Sequence, residues 1–329
     1  MIVARVVFSF FIIVVGTRTN AASLASVDLE REFARITQGF EGRVGVCALS
    51  GQTKACLNGD RYFSLQSVMK LIAGMAVMDA VDQRAWKLDE PITFRNQDLS
   101  LFVQPIADIV KKEGSFKTAT GDLVRRAIVD SDSAATDMLI QKLGGPKSVQ
   151  AFLDRRAVRN VRVDRDEKHL QTEILGLMWK PEYVDADALT RATNALPEDV
   201  RDAAFKRYQT DVRDTATPLG MATLLQSLAS NTLLSPASSK RLIDVMKQTV
   251  TYPGRLKAGT APGWTIAHKT GTSGTWKGVT VAVNDVGILG APDGGTIAIA
   301  VFLGDSRASE EARDALIAKL AAAAIDHYR

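Results

Sequence analysis

Metal-binding residues are scarce in this chain. Two cysteines (Cys47, Cys56) and three histidines (His169, His268, His327) occur in 329 residues, and none stands at ligand spacing. No resident metal and no other cofactor is therefore expected. Runs of one charge are also missing. The 41 Lys+Arg and 37 Asp+Glu, a net +4, are scattered along the chain, which leaves no nucleic-acid footprint. No internal repeat or low-complexity segment is present. Long apolar runs are absent with one exception, Val6 to Val15. It follows Arg5 and precedes the small residues Asn20-Ala21-Ala22-Ser23-Leu24-Ala25, the pattern of a cleaved export signal. Cleavage is expected after Ala22, with Ala25 as the alternative site. The run is short for a membrane span, and an uncleaved anchor is the competing reading. The mature chain is expected to be soluble, free of the membrane, and periplasmic or secreted.

An oxidising compartment permits a disulfide. Cys47 and Cys56 lie on two short apolar runs separated by Ser50-Gly51-Gln52. A hairpin could bring them together, but sequence does not fix the register, so the pair stays open between a bridge and two thiols.

With 46% hydrophobic residues the chain can bury a large core in one big domain or two. The stretch that organises it is Ser67-Val68-Met69-Lys70, because residues 68–78 are almost all apolar and read as a buried helix. Positions i and i+3 share a helical face, so Ser67 and Lys70 point the same way. A buried lysine must be paired or neutralised, and a helix N-terminus favours developing negative charge on a serine oxygen. The two read as an activated nucleophile and its base. The competing reading is an N-cap serine with a lysine that snorkels to water.

Strand signals cluster at the two ends of the chain. Arg43 to Leu49 and Thr53 to Leu57 read as a hairpin, and Thr265 to Lys269, Val279 to Asn284 and Thr296 to Leu303 as later strands. Helical patterns fill the middle, at 134–143, 147–156, 185–195, 198–208, 218–229 and 235–248, with flanking helices at 27–41 and 308–327. Residues 86–120 read as loops and short elements. Terminal strands sharing one sheet would give a discontinuous α/β domain with an inserted all-α domain.

Three further segments carry chemistry. Ser131-Asp132-Ser133 stands at a helix–helix junction, where Ser131 could pass a proton and Ser133 could donate to a substrate amide; the plain alternative is a turn capped by Asp132. His268-Lys269-Thr270-Gly271-Thr272-Ser273 ends a strand with one cation and three hydroxyls, a set suited to a carboxylate, and Gly271 would let a ligand approach the backbone. Arg165-Asp166-Glu167-Lys168-His169-Leu170-Gln171 sits in an irregular region, where Glu167 could activate water or belong to a solvated charge run.

Taken in order, Ser67-x-x-Lys70, Ser131-Asp132-Ser133 and Lys269-Thr270-Gly271 resemble the signature of class A β-lactamases and penicillin-binding proteins. Arg165-x-Glu167-x-x-Leu170 is similar to the omega-loop motif of the class A enzymes, and penicillin-binding proteins lack that glutamate. The resemblance runs from about residue 27 to 327. It implies a serine β-lactamase/DD-peptidase-like fold: an antiparallel sheet built from both chain ends (23–65 and 252–329), a helical domain (66–251) and a long omega-type loop at about 162–217. It also implies a monomer that hydrolyses small-molecule β-lactams. Ser67 would attack the lactam carbonyl. Lys70, Glu167, or both through a water, would serve as base for acylation, and Glu167 would activate the deacylating water. The backbone N–H groups of Ser67 and Thr272 would form the oxyanion hole, and Ser131 would relay a proton to the leaving nitrogen. Lys269, Thr270 and Thr272 would hold the substrate carboxylate, with Gly271 and Ser273 also in the substrate-binding set. Arg255 stands where some members keep a second carboxylate-binding cation. Arg165 and Asp214 match the ion pair that pins the omega loop.

The chain also departs from the family pattern. Ser133 and Gln171 each replace a usual asparagine, one at the substrate amide and one at the deacylating water. Gln66, Asp137 and His268 resemble the PER-like extended-spectrum subgroup, and these features with Ser273 point toward cephalosporins. Phe102 or Val103 stands where an aromatic gate is common. The rival readings are a DD-peptidase and a β-lactam sensor that stays acylated.

Overall fold

The computed structural model describes residues 18–328, with side chains from residue 26. The expected export signal, with its apolar run at Val6 to Val15, falls mostly outside the described residues.

One antiparallel sheet forms from the two ends of the chain. Its strands are β1 (Arg43–Ser50), β2 (Thr53–Leu57), β3 (Thr265–Thr272), β4 (Val279–Gly290) and β5 (Thr296–Ser306), in the order β2-β1-β5-β4-β3. A short strand at Thr275–Trp276 also pairs with β4. The alternation of side chains across a strand gives the sheet two apolar faces. Val46, Ala48, Ile299, Val301 and Leu303 pack with Leu29 and Phe33 of α1 (Arg18–Thr37) and with Ile317, Leu320 and Ile325 of the last helix, Glu310–Tyr328. Cys47, Ala298, Ala300 and Phe302 face the other way, into the larger core shared with the central helices. Burial on both faces explains why these strands read as nearly continuous apolar runs.

The register left open by the sequence is resolved: Cys47 lies directly opposite Cys56 across β1 and β2, and the two form a disulfide.

The helical middle is built around α2 (Met69–Asp82), buried from Met69 to Asp79. Around it pack α3 (Thr120–Val129), α4 (Ser133–Leu143) and later helices at Pro146–Arg155 and Pro236–Met246. The helix at Pro218–Ala229 packs on the inner face of the sheet instead, with Met221, Leu225 and Leu228 in the same core as Phe302. The region 86–120 contains a helix at Pro105–Glu113 and a small sheet of Pro91–Phe94 with Phe116–Ala119.

The long segment after Val161 is mostly helical. It holds α5 (Glu167–Ile174), a helix at Ala186–Asn194 and α6 (Glu198–Thr210). The sequence places Glu167 in an irregular loop, whereas the structure makes it the first residue of a helix. The cause is local: Asp166 caps α5 by accepting from the His169 N–H at 3.0 Å, a short-range signal hidden inside a charged run.

Candidate active site

The Ser67 turn is held on three sides. Leu65 N–H donates to the Asp214 carbonyl at 2.8 Å. The Asn284 side-chain amide on β4 donates to the Ser64 and Leu65 carbonyls at 2.8 and 3.0 Å. On the third side β3 passes so close that a Cβ on Gly271 would stand 2.6 Å from the Leu65 oxygen and 3.2 Å from the Ser67 nitrogen. Gly271 is thus needed for strand-to-turn approach, whereas the sequence alone assigns it to ligand approach. Gln66, Ser67 and Val68 make one 3₁₀ turn that runs into α2, and Gln66 has φ +47°. Phe102 (φ +56°) and Tyr252 (φ +46°) border the same cleft, and Ser131 (φ +57°) stands just behind it against Lys70. Left-handed backbone at non-glycine residues is strained and gathers at functional sites.

Lys70 is buried and paired. Its ammonium donates to the Ser131 carbonyl at 2.6 Å and to Ser133 Oγ at 3.0 Å, and it lies 3.5 Å from Glu167 Oε1. The requirement that a lysine in an apolar helix find partners is met by the Ser131–Ser133 segment and α5 together. Ser131 Oγ in turn accepts from Lys269 Nζ at 3.0 Å, and Lys269 also donates to the Thr270 carbonyl at 2.9 Å. Burial, with the nearby charge of Lys70, lowers the Lys269 pKa to about 7. Asp132 between the two serines caps α4 through the Ala135 N–H at 2.9 Å and accepts from the Ile106 N–H at 2.9 Å. The capped turn is present, and it brings Ser131 and Ser133 against Lys70.

Glu167 is fixed by what surrounds α5. Its backbone N–H donates to Asp137 Oδ1 at 2.7 Å, the Lys168 N–H donates to Oδ2 at 3.2 Å, and Ser100 Oγ donates to Oδ2 at 2.6 Å. Burial, reinforced by the charge of Asp166, pushes the Asp137 carboxyl up to about 7. The far side is pinned by Arg165, whose Nε meets Asp214 Oδ2 at 2.6 Å while NH1 meets Glu173 at 2.6 Å. Breaking a buried pair of this kind costs about 3–5 kcal/mol. Gln171, one turn into α5, donates from Nε2 to Glu167 Oε2 at 3.3 Å and to Gln66 Oε1 at 3.0 Å.

These groups open onto one cleft of about 240 Å³. Ser67, Lys70, Ser133, Glu167 and Gln171 line its floor, Phe102, Val103 and Tyr252 its rim, and Thr272, Ser273 and Gly274 the β3 side. The model of the beta-lactamase enzyme family matches residues 28–328. The chain is a class A serine β-lactamase.

β-Lactamase VEB-1 of Pseudomonas aeruginosa is 26% identical over 306 residues, covering 92% of this chain and 90% of that one. The extended-spectrum β-lactamase PER-1 of the same organism is 27% identical over 324 residues, covering 98% and 94%. Among solved structures, an ancestral class A β-lactamase superposes with a TM-score of 0.73 at 29% identity, over 91% of this chain and 99% of that one. Membership implies β-lactam hydrolysis.

Not every residue singled out in the sequence of this β-lactamase reaches the cleft. Arg255 is buried behind β3: its Nε pairs with Asp314 at 2.7 Å, NH1 donates to the Asn284 carbonyl at 3.0 Å, and the guanidinium stacks on Tyr252 at 3.7 Å. It therefore underlies the cleft wall and does not line it. Thr270 Oγ1 shares a hydrogen bond with Thr251 Oγ1 at 2.6 Å, and Ser273 Oγ accepts from the Ala282 N–H at 3.1 Å. Lys269 and Ser131 stand just behind the lining residues, joined to them through Lys70. His268 is buried against Asp285, with Nδ1 2.9 Å from Oδ1.

Sequence reasoning misses Asn284, Tyr208 and Tyr252. Asn284 had a usable signal: Asn284-Asp285 interrupts an otherwise apolar strand, and buried polar groups there need partners. Tyr208 and Tyr252 had none, because only the folding of the long segment brings Tyr208 against Gln66 and only the loop before β3 brings Tyr252 to the cleft.

Proposed function

We propose that this enzyme opens β-lactam rings through a serine acyl-enzyme that water then releases. The observation that carries this reading is the buried Lys70 ammonium, held between Ser131, Ser133 and Glu167 on the face that also presents Ser67. Ser67 Oγ attacks the lactam carbonyl carbon, its proton passing through a water to Glu167, or to Lys70 after Lys70 has given up its own proton to Glu167 Oε1, 3.5 Å away. The backbone N–H groups of Ser67 and Thr272 take the developing oxyanion. The C–N bond then breaks, and Ser131 hands a proton from the Lys70–Lys269 side to the leaving nitrogen. In the second half, Glu167 removes a proton from water as the water attacks the ester carbonyl, and Ser67 leaves as the hydroxyl, yielding the ring-opened acid.

Lys269, Thr270 and Thr272 orient the substrate carboxylate, with Gly271 and Ser273 shaping that edge. Ser133 and Gln171 contact the substrate amide and the deacylating water. Arg255 acts from beneath the sheet as a fixed positive charge and a brace for Tyr252, not as a direct ligand. The disulfide and the apolar run at Val6 to Val15 support export to an oxidising compartment.

Steady-state hydrolysis of a chromogenic cephalosporin, with intact mass read from the same sample, tests the reading. Turnover with no lasting adduct is expected. A stoichiometric adduct with little turnover would move the function to penicillin binding or sensing.

A pH effect follows from Lys269. A group whose pKa is lowered to about 7 carries its charge below that pH and loses it above. KM for an anionic β-lactam should therefore rise as pH goes from 7 to 9, with kcat changing less. A flat KM over that range, measured at constant ionic strength, would show that Lys269 stays charged or does not meet the carboxylate.

A further inference from the structure

The inserted helix α6 sends one side chain toward the catalytic turn. The Tyr208 hydroxyl meets Gln66 Nε2 and lies 2.8 Å from Ser64 Oγ. Gln66 Oε1 accepts from Gln171 Nε2 at 3.0 Å, and Gln171 Nε2 reaches Glu167 Oε2 at 3.3 Å. A continuous chain thus runs from Ser64 through Tyr208, Gln66 and Gln171 to Glu167.

The direction of this chain is set by charge. An ionised carboxylate only accepts hydrogen bonds, so Gln171 must present its NH₂ to Glu167. Gln66 must then present its oxygen to Gln171, which leaves its NH₂ facing Tyr208. The tyrosine oxygen accepts that bond, and the hydroxyl shares a further hydrogen bond with Ser64 Oγ. Reversing any one amide would set donor against donor or oxygen against oxygen. Burial pushes the Tyr208 phenol up to about 12, so it keeps its proton through the working range.

The same residues sit on the strained part of the site. Gln66 is the left-handed residue immediately before Ser67. A conformation of this kind persists only where surrounding contacts over-determine it. The side-chain contacts of Gln66 are Tyr208 on one end and Gln171 on the other.

From these contacts we infer that Tyr208 is a positioning residue for deacylation, holding Gln66 and Gln171 so that Gln171 orients Glu167 and its water. This rests on Glu167 being the deacylation base. The long inserted segment then has a catalytic consequence: its helix α6 supplies the fixed end of a hydrogen-bond chain that ends on Glu167. A glutamine at 171 has one more rotatable bond than the usual asparagine, and Gln66 with Tyr208 removes that freedom.

Tyr208→Phe removes only the hydroxyl. Acylation and deacylation rate constants are read separately, by stopped-flow with a chromogenic cephalosporin and by intact mass of quenched samples. Deacylation should slow by about tenfold, the effect of one hydrogen bond lost from a buried network. Acylation should stay within about twofold, so KM falls with kcat and acyl-enzyme accumulates. A double-mutant cycle with Gln171→Ala guards against a merely structural effect. Without Gln171, the tyrosine change should have no further effect on deacylation. Equal slowing of both steps, no slowing, or additive effects in the cycle would overturn the inference. Glu167→Gln run alongside separates the two levels. Adduct accumulation in that variant with unchanged Tyr208→Phe kinetics defeats the inference alone, while unchanged turnover in that variant defeats the reading of Glu167 itself.

Discussion

Ser67→Ala should abolish turnover and covalent labelling together, with kcat falling by about 10³-fold or more, as expected when a nucleophile acting in a concerted unit is removed. The change deletes a single oxygen. It leaves the Leu65 bond to Asp214, the Asn284 clamp and the Gln66 contacts in place, so the variant should fold and melt near the wild type. Substrate should still bind, because the groups on the β3 side of the cleft are untouched. Melting curves, hydrolysis rates and intact mass on one preparation check all three. Hydrolysis surviving in purified Ser67→Ala protein would remove the acyl-enzyme mechanism, whatever the other residues do.

Glu167→Gln should divide the reaction in two. The substitution keeps the length and the backbone contact with Asp137 but cannot take a proton from water. Loss of a positioned general base slows its step by about 10²–10⁴-fold. Acylation should persist if Lys70 can act as base, and the ester should then accumulate to one equivalent. If acylation also collapses, Glu167 serves both halves, and Lys70 is left beside an amide 3.5 Å away in place of a carboxylate. Unchanged turnover would put the base elsewhere in the long segment. Rapid-quench mass spectrometry distinguishes these outcomes.

How much of this was legible in the sequence depends on the range of the interactions involved. The sheet from both chain ends and the α2 helix follow from apolar runs and turn residues, local signals that survive folding. The order of the three signature motifs and Glu167 gave the family. Three features were beyond reach. The helical start at Glu167 hinged on a single cap, Asp166, inside a run of charges. The buried position of Arg255 hinges on Asp314, 59 residues away on the last helix, whereas its place in sequence order near the cleft suggests a substrate ligand. The chain through Tyr208 links residues separated by 142 positions; no spacing rule reaches that far, and only the path of the inserted helices decides it. Gly271 shows a subtler limit. The need for glycine was visible, but the atom it accommodates, the Leu65 carbonyl, was not.

The most direct test of the central claim is to trap the intermediate and locate it. Glu167→Gln protein is incubated with a cephalosporin, quenched in acid, digested and mapped by tandem mass spectrometry. The account predicts one adduct per chain, with the ring-opened drug esterified to Ser67 Oγ and no label in a Ser67→Ala, Glu167→Gln double variant. Label on Ser131, Ser133 or any other side chain, or label that persists without Ser67, would contradict it.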